Sequence, residues 1–242
     1  MRLSFESVAR SASACVMVDG REIAYADLAG GEAEKGLVSL LDGLIRTHGK
    51  PTSLAVAIGP GSFTGLRIGI TAARTLAWIE GIPVHGVDAL AALAAEQGDG
   101  LWWVLLPLKK DTTFHGLFRI SDGVVTTVMP TLACLDAQVP ALHADTVQAT
   151  AIGPAIAAKP DLPTRWCPGV HVGVASGVTA RGVARLAAQV PAMDWSVVLP
   201  EYHQQPAPVL QLEQARQLAQ QRQLAQQQQQ ALDSNHSSGA QQ

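Results

Sequence analysis

The sequence predicts an α/β protein of two related lobes, each with a mixed sheet that begins in antiparallel hairpins. Three observations carry that expectation. Each half opens with short β-prone runs joined by turn dipeptides, each half continues into segments of helical spacing, and the first half sets a strand, a glycine-rich turn and a helix in direct succession. We place the first lobe at 1–99, the second at 100–202 and a tail at 203–242.

Arg2 to Glu6, Ala12 to Asp19 and Glu22 to Leu28 read as strands, the last two joined by the hairpin dipeptide Asp19-Gly20. From Glu32 to His48, Leu37, Leu40, Leu41, Leu44 and Ile45 recur at helical spacing, and Gly49 and Pro51 stop the helix. Leu54 to Ile58 is a compact apolar strand that runs into Gly59-Pro60-Gly61-Ser62-Phe63-Thr64-Gly65, after which Leu66 to Ile79 reads as a helix. Pro83 to Val87 gives a short strand and Ala89 to Ala95 a small helix.

The second half starts again with strands: Leu101 to Leu108, Thr113 to Ile120 and, past the turn Ser121-Asp122-Gly123, Val124 to Met129. No residue-level repeat accompanies this echo. Between Thr131 and Pro200 the pattern weakens to a short apolar piece at Ala149 to Ile152 and a helix from Thr179 to Gln189. Beyond Tyr202, glutamine makes up 15 of 40 residues, a composition short of the apolar area needed to offset ordering entropy.

Composition narrows the function. A net charge of −3 argues against a chain that grips a phosphate backbone by itself, so direct nucleic-acid binding is not expected. Apolar runs fall well short of the roughly 20 residues of a membrane-spanning helix, and Glu6 interrupts any leader-like start; a cytoplasmic protein is expected. Cys15, Cys134 and Cys167 are far apart and form no C-x-x-C pair, as in reduced thiols. None of the seven histidines lies within five residues of another, and no metal constellation is legible. Glu6 and Asp111 read as turn or surface carboxylates rather than an acid/base pair, and Trp102 and Trp103 should point to opposite faces of a strand.

The densest signal is the run from Ile58 to Ala77. Gly59 and Gly61 free the backbone, Pro60 stiffens the turn, and Ser62 is placed to cap the helix whose first turn holds Thr64. Ser62 lacks the setting of a nucleophile elbow, and the turn lacks the lysine of a P-loop. On the helix, Gly65, Gly69, Ala72, Ala73 and Leu76 form a small-residue stripe. Its reading is a contact surface for a partner helix, with Leu66, Ile70 and Ala77 toward the core; packing within the same lobe is the alternative.

The stretch G-P-G-S-F-T-G-L-R-I-G at 59–69 closely resembles the signature of the TsaB (YeaZ) family, the glycoprotease-like, non-catalytic subunit of bacterial tRNA threonylcarbamoyladenosine synthesis. Weaker similarity runs over residues 1–202 and ends in Pro200-Glu201-Tyr202. The resemblance implies a two-lobed fold of the actin-like ATPase superfamily and a homodimer through first-lobe helices when alone. It also implies partnership with a TsaD-like transferase and a TsaE-like ATPase. The chain departs from the family pattern with Glu6-Ser7-Val8 in place of Asp-Thr-Ser, with Lys109-Lys110 in the second lobe, and with His203-Gln204 after the tyrosine. No cofactor of its own is therefore expected, ATP or ADP at the partner interface being the one nucleotide possibility. Two other readings stay open: an actin-like-fold hydrolase, whether ATPase or peptidase, and a homodimer that has lost its partner.

Overall fold

The structure is a computed structural model in which residues 1–9, 11–28 and 33–202 are described. The expected tail at 203–242 lies outside the described residues.

The first sheet grows from a hairpin meander. β1 (Arg2–Glu6) pairs antiparallel with β2 (Ala12–Val18), which pairs antiparallel with β3 (Arg21–Leu28) through the Asp19-Gly20 turn. Asp19 and Gly20 both take positive φ, 48° and 76°, as the tight hairpin requires. On the other side of β1, β4 (Ser53–Gly59) and β5 (Val84–Asp88) add in parallel, giving the order β3-β2-β1-β4-β5. The amphipathic α1 (Ala33–His48) and α2 (Phe63–Glu80) supply the connections.

The second sheet repeats that plan strand for strand. β6 (Gly100–Lys109), β7 (Thr112–Ser121) and β8 (Val124–Leu135) form an antiparallel meander, and β9 (Thr150–Ile152) and β10 (His171–Val172) add in parallel beyond β6. The order β10-β9-β6-β7-β8 is the first sheet's order with each strand replaced by its counterpart. The duplication legible in the hairpins therefore extends to the whole topology.

Between the sheets lies α3 (Ala89–Ala94), every residue of which is buried; its six alanines and leucines let backbones approach from both sides. One apolar core runs from Leu3, Phe5, Leu54 and Val56 past Leu90 and Leu93 to Val104, Phe118 and Ile152. A second core, on the far face of the second sheet, is centred on Trp103, Leu105 and Trp166. Trp102 packs against the first core and Trp103 against the second, as the alternation of a strand demands. α6 (Ala180–Ala187) follows β10 in sequence but crosses back to the first lobe, where Val183 and Ala187 join the main core.

Candidate functional site

The glycine-rich turn and α2 are fixed by two segments from opposite ends of the described chain. Ser62 caps α2, its Oγ accepting the Gly65 N–H at 3.4 Å, and the Ser62 N–H donates to Val8 O at 2.7 Å. A Cβ on Gly61 would meet Val8 O at 2.6 Å. Gly59, at φ 140°, lies beneath the carbonyl of Glu201, which a Cβ would meet at 2.5 Å, while the Glu201 N–H donates to Ile58 O at 2.8 Å. The turn is thus a clasp between the end of β1 and a C-terminal strap, residues 193–202. The strap is also pinned by Met193, which exchanges backbone hydrogen bonds with Val84. Pro60 follows a cis peptide bond, and Thr64 is exposed at the start of the helix.

The stripe expected as one partner surface divides. Gly65, Gly69 and Ala73 are buried, together with the core-facing Leu66, Ile70 and Ala77. Added Cβ atoms on Gly65 and Gly69 would collide with the Ser7 carbonyl and the Ser7 Oγ, respectively. Ser7 closes the contact by donating to Gly65 O at 2.8 Å. These glycines are small because the β1 turn crosses them, so the expectation that they meet a second helix is corrected. Ala72 and Leu76 sit at the margin of the buried face, turned toward α1.

There the surface opens into a groove of about 900 Å³ between the two helices. Val38, Leu41 and Ile45 of α1 face Ile68, Ala72 and Leu76 of α2 across it. The exposed Thr71 and Thr75 lie along its rim, and Phe63, Thr64 and Arg67 form its mouth. The hydrophobic periodicity of α1 was legible, but which sides of two amphipathic helices stay uncovered depends on how they cross, and the groove was missed.

Glu6 is not a surface carboxylate. It is 2% exposed beneath the β1 turn, where Oε2 accepts the Val8 N–H at 3.1 Å and Oε1 accepts the Ser13 hydroxyl at 2.9 Å. Ser13 Oγ in turn accepts the Ala180 N–H at 2.8 Å, tying the first turn of α6 to β2. Burial pushes the Glu6 carboxyl up to about 7, against the pull of its hydrogen bonds to Ser13 and Val8. Asp111, by contrast, is exposed beside Lys109 and Lys110 at the tip of the β6–β7 hairpin. His115 is enclosed in the second core against Trp103 and Trp166, which holds it down at about 4 by desolvation. His85 faces Val190 O, and His171 is exposed at the start of β10. Among the described residues no three potential metal ligands gather.

Comparison with known proteins fits this geometry. A family model described as TsaD, tRNA N6-adenosine threonylcarbamoyltransferase, matches residues 46–100, from the end of α1 through α2 and α3. The tRNA threonylcarbamoyladenosine biosynthesis protein TsaB of Bacillus subtilis is 40% identical over 81 residues, 33% of this chain and 35% of that protein. TsaB of Escherichia coli is 31% identical over 104 residues, 41% of this chain and 43% of that protein. These matches span less than half of either relative. Two solved structures from Pseudomonas aeruginosa extend the likeness to the fold. One, described as an uncharacterized protein with similarity to peptidase YEAZ, superposes with a TM-score of 0.71 at 20% identity, covering 84% of this chain and 99% of that one. The other, YeaZ itself, superposes with a TM-score of 0.70, also at 20% identity, covering 83% and 99%. Around its glycine-rich turn the chain is thus similar to the TsaB proteins, and its two-lobed fold is the one that the YeaZ structures share.

Proposed function

We propose that this chain is a non-catalytic scaffold subunit in the synthesis of threonylcarbamoyladenosine in tRNA. It docks and activates a TsaD-like transferase through the groove between α1 and α2, with a TsaE-like ATPase as a further component. The observation that carries the reading is the groove: apolar walls from two helices stand open beside a turn that is rigidly clasped from behind. A partner helix, about 10 Å across with its side chains, is the natural complement of a channel between two helices. The TsaB names of the relatives supply the pathway. Against a hydrolase, Ser62 is engaged in capping α2 and Glu6 is sealed under the β1 turn.

Thr75, exposed on the groove rim, gives a test that spares the core. Replacing it with arginine fills the channel with a long charged side chain while keeping a good helix former. Isothermal titration against the cognate transferase should show binding by the parent and at least a roughly tenfold loss for Thr75→Arg, with an unchanged melting temperature. A parent chain that does not bind the transferase overturns the scaffold reading. Self-association that the transferase cannot compete away assigns the groove to a second copy of the chain instead.

A further inference from the structure

The charged side chains on the groove are few. Asp42 and Arg46 on α1 satisfy each other at 2.8 Å, across one helical turn. Arg67, on the α2 side, is exposed and has no carboxylate partner among the described residues. Its guanidinium lies 5.3 Å from the centre of the Phe63 ring. Phe63 in turn stacks on Tyr202, with ring centres 5.3 Å apart and planes inclined by 27°. Tyr202 does not line the groove; it belongs to the strap that is held on the glycine-rich turn by the hydrogen bond from Glu201 to Ile58. A groove-mouth cation is therefore supported by an aromatic ring, and that ring by a residue from the far end of the described chain.

We propose that Arg67 is the specificity contact of the groove: it receives a carboxylate from the occupying helix, and Phe63 and Tyr202 position it to do so. The inference rests on the docking function proposed above and deepens it. A guanidinium held over a ring face by cation–π attraction still has N–H donors to offer a planar carboxylate and loses less freedom on binding than an unsupported one. The rest of the groove is apolar, hydroxylic or already paired. A carboxylate that missed Arg67 would be buried without a partner, which penalises a wrong occupant or a wrong register. The glycine-rich turn, the strap and the partner contact thereby become one device. Tyr202 acts through Phe63, so it is a positioning residue rather than a contact.

The test is titration of the full chain into the cognate transferase at about 50 and 500 mM salt, since an exposed charge contact weakens as the screening length shrinks. The parent should lose affinity several-fold between the two conditions. Arg67→Gln should bind about tenfold more weakly at low salt and lose most of the salt dependence; Arg67→Lys should recover only part of the affinity. Tyr202→Ala should weaken binding less, with the same blunting of the salt response, and Tyr202→Phe should restore both. Arg67→Gln binding with the parent's affinity and salt response, while Thr75→Arg fails to bind, overturns the contact and leaves the groove standing. Loss in Arg67→Gln without any change in Tyr202→Ala overturns the positioning role. If Thr75→Arg binds as the parent does, the groove itself is wrong and the Arg67 contact falls with it.

Discussion

Ser7 decides what two positions of α2 are allowed to be. Its backbone carbonyl occupies the space a Cβ would take on Gly65, and its hydroxyl the space beside Gly69. The two obstacles differ in kind, and that difference is measurable. Gly69→Ala pushes on a side chain that can rotate at the expense of its bond to Gly65 O, a cost of roughly 1–2 kcal/mol. Gly65→Ala pushes on backbone and should cost about 3 kcal/mol or more. In urea unfolding, adding Ser7→Ala should recover most of the loss in Gly69→Ala and none of it in Gly65→Ala. Equal rescue of both, or of neither, would mean that α2 does not sit on the β1 turn as described. The sequence legibly marked these glycines as close-contact residues, but not what they contact. Spacing on a helix gives the angle between side chains and leaves the neighbour unnamed, and here the neighbour is a turn nearly 60 residues earlier in the chain. The Glu6-Ser7-Val8 departure from the family pattern is where that neighbour sits.

Helices and strands were legible in proportion to their length. α1 was expected within a residue of its observed start, whereas α2 begins at Phe63 rather than Leu66, because Ser62 caps it a turn earlier than the apolar periodicity shows. β8 runs on to Leu135 through Pro130, which an edge strand tolerates because its outer side needs no donor. α4 (Ala155–Ala158), α5 (Leu162–Trp166) and the two-residue β10 carry too few residues to show any period, and nothing at the sequence level announces them. Tertiary contacts hold them instead: the Lys159 amine, at the end of α4, donates to Thr113 Oγ1 and to the carbonyls of Lys109 and Thr112, and pairs with Asp136. α6 makes the sharpest element-level prediction. A Cβ on Gly182 would collide with the Ala92 carbonyl, so α6 and α3 cross at backbone distance. Gly182→Ala should therefore destabilise the chain by roughly 2–3 kcal/mol despite the gain in helix propensity, whereas Gly43→Ala, with open space around it on α1, should be neutral or stabilising. A stabilised Gly182→Ala in chemical denaturation would show that the two helices are farther apart.

At the scale of the whole molecule, two sheets of one topology share a core through α3, and the link from the second lobe back to the first passes over a buried acid. Hairpin dipeptides made the duplication visible. The return of α6 was invisible, because the partners of its first turn, Ser13 and through it Glu6, lie at the opposite end of the chain. That arrangement fixes how stability depends on pH. Glu6 holds its proton up to about 7 when folded but releases it near 4.5 when unfolded, so between those values the unfolded state binds fewer protons and stability falls as pH rises. The gap corresponds to roughly 3 kcal/mol, fully lost above about pH 7. His115 works in the other direction. Folded, it resists protonation down to about 4, against an ordinary 6.5, so stability falls as pH drops through that range, and His85, also depressed by burial, adds in the same sense. Over about pH 5 to 6.5 the two slopes oppose each other, and the parent should unfold with little pH dependence. Glu6→Gln, neutral throughout, removes one slope and exposes the other. Its stability should rise with pH from 5 to 6.5 and then stay level, and it should exceed the parent's most at pH 8. Urea midpoints taken at pH 5, 6.5 and 8 for both proteins check the sign directly. A variant that runs parallel to the parent at all three values would mean that the Glu6 carboxyl reaches solvent and that the link beneath α6 is not sealed.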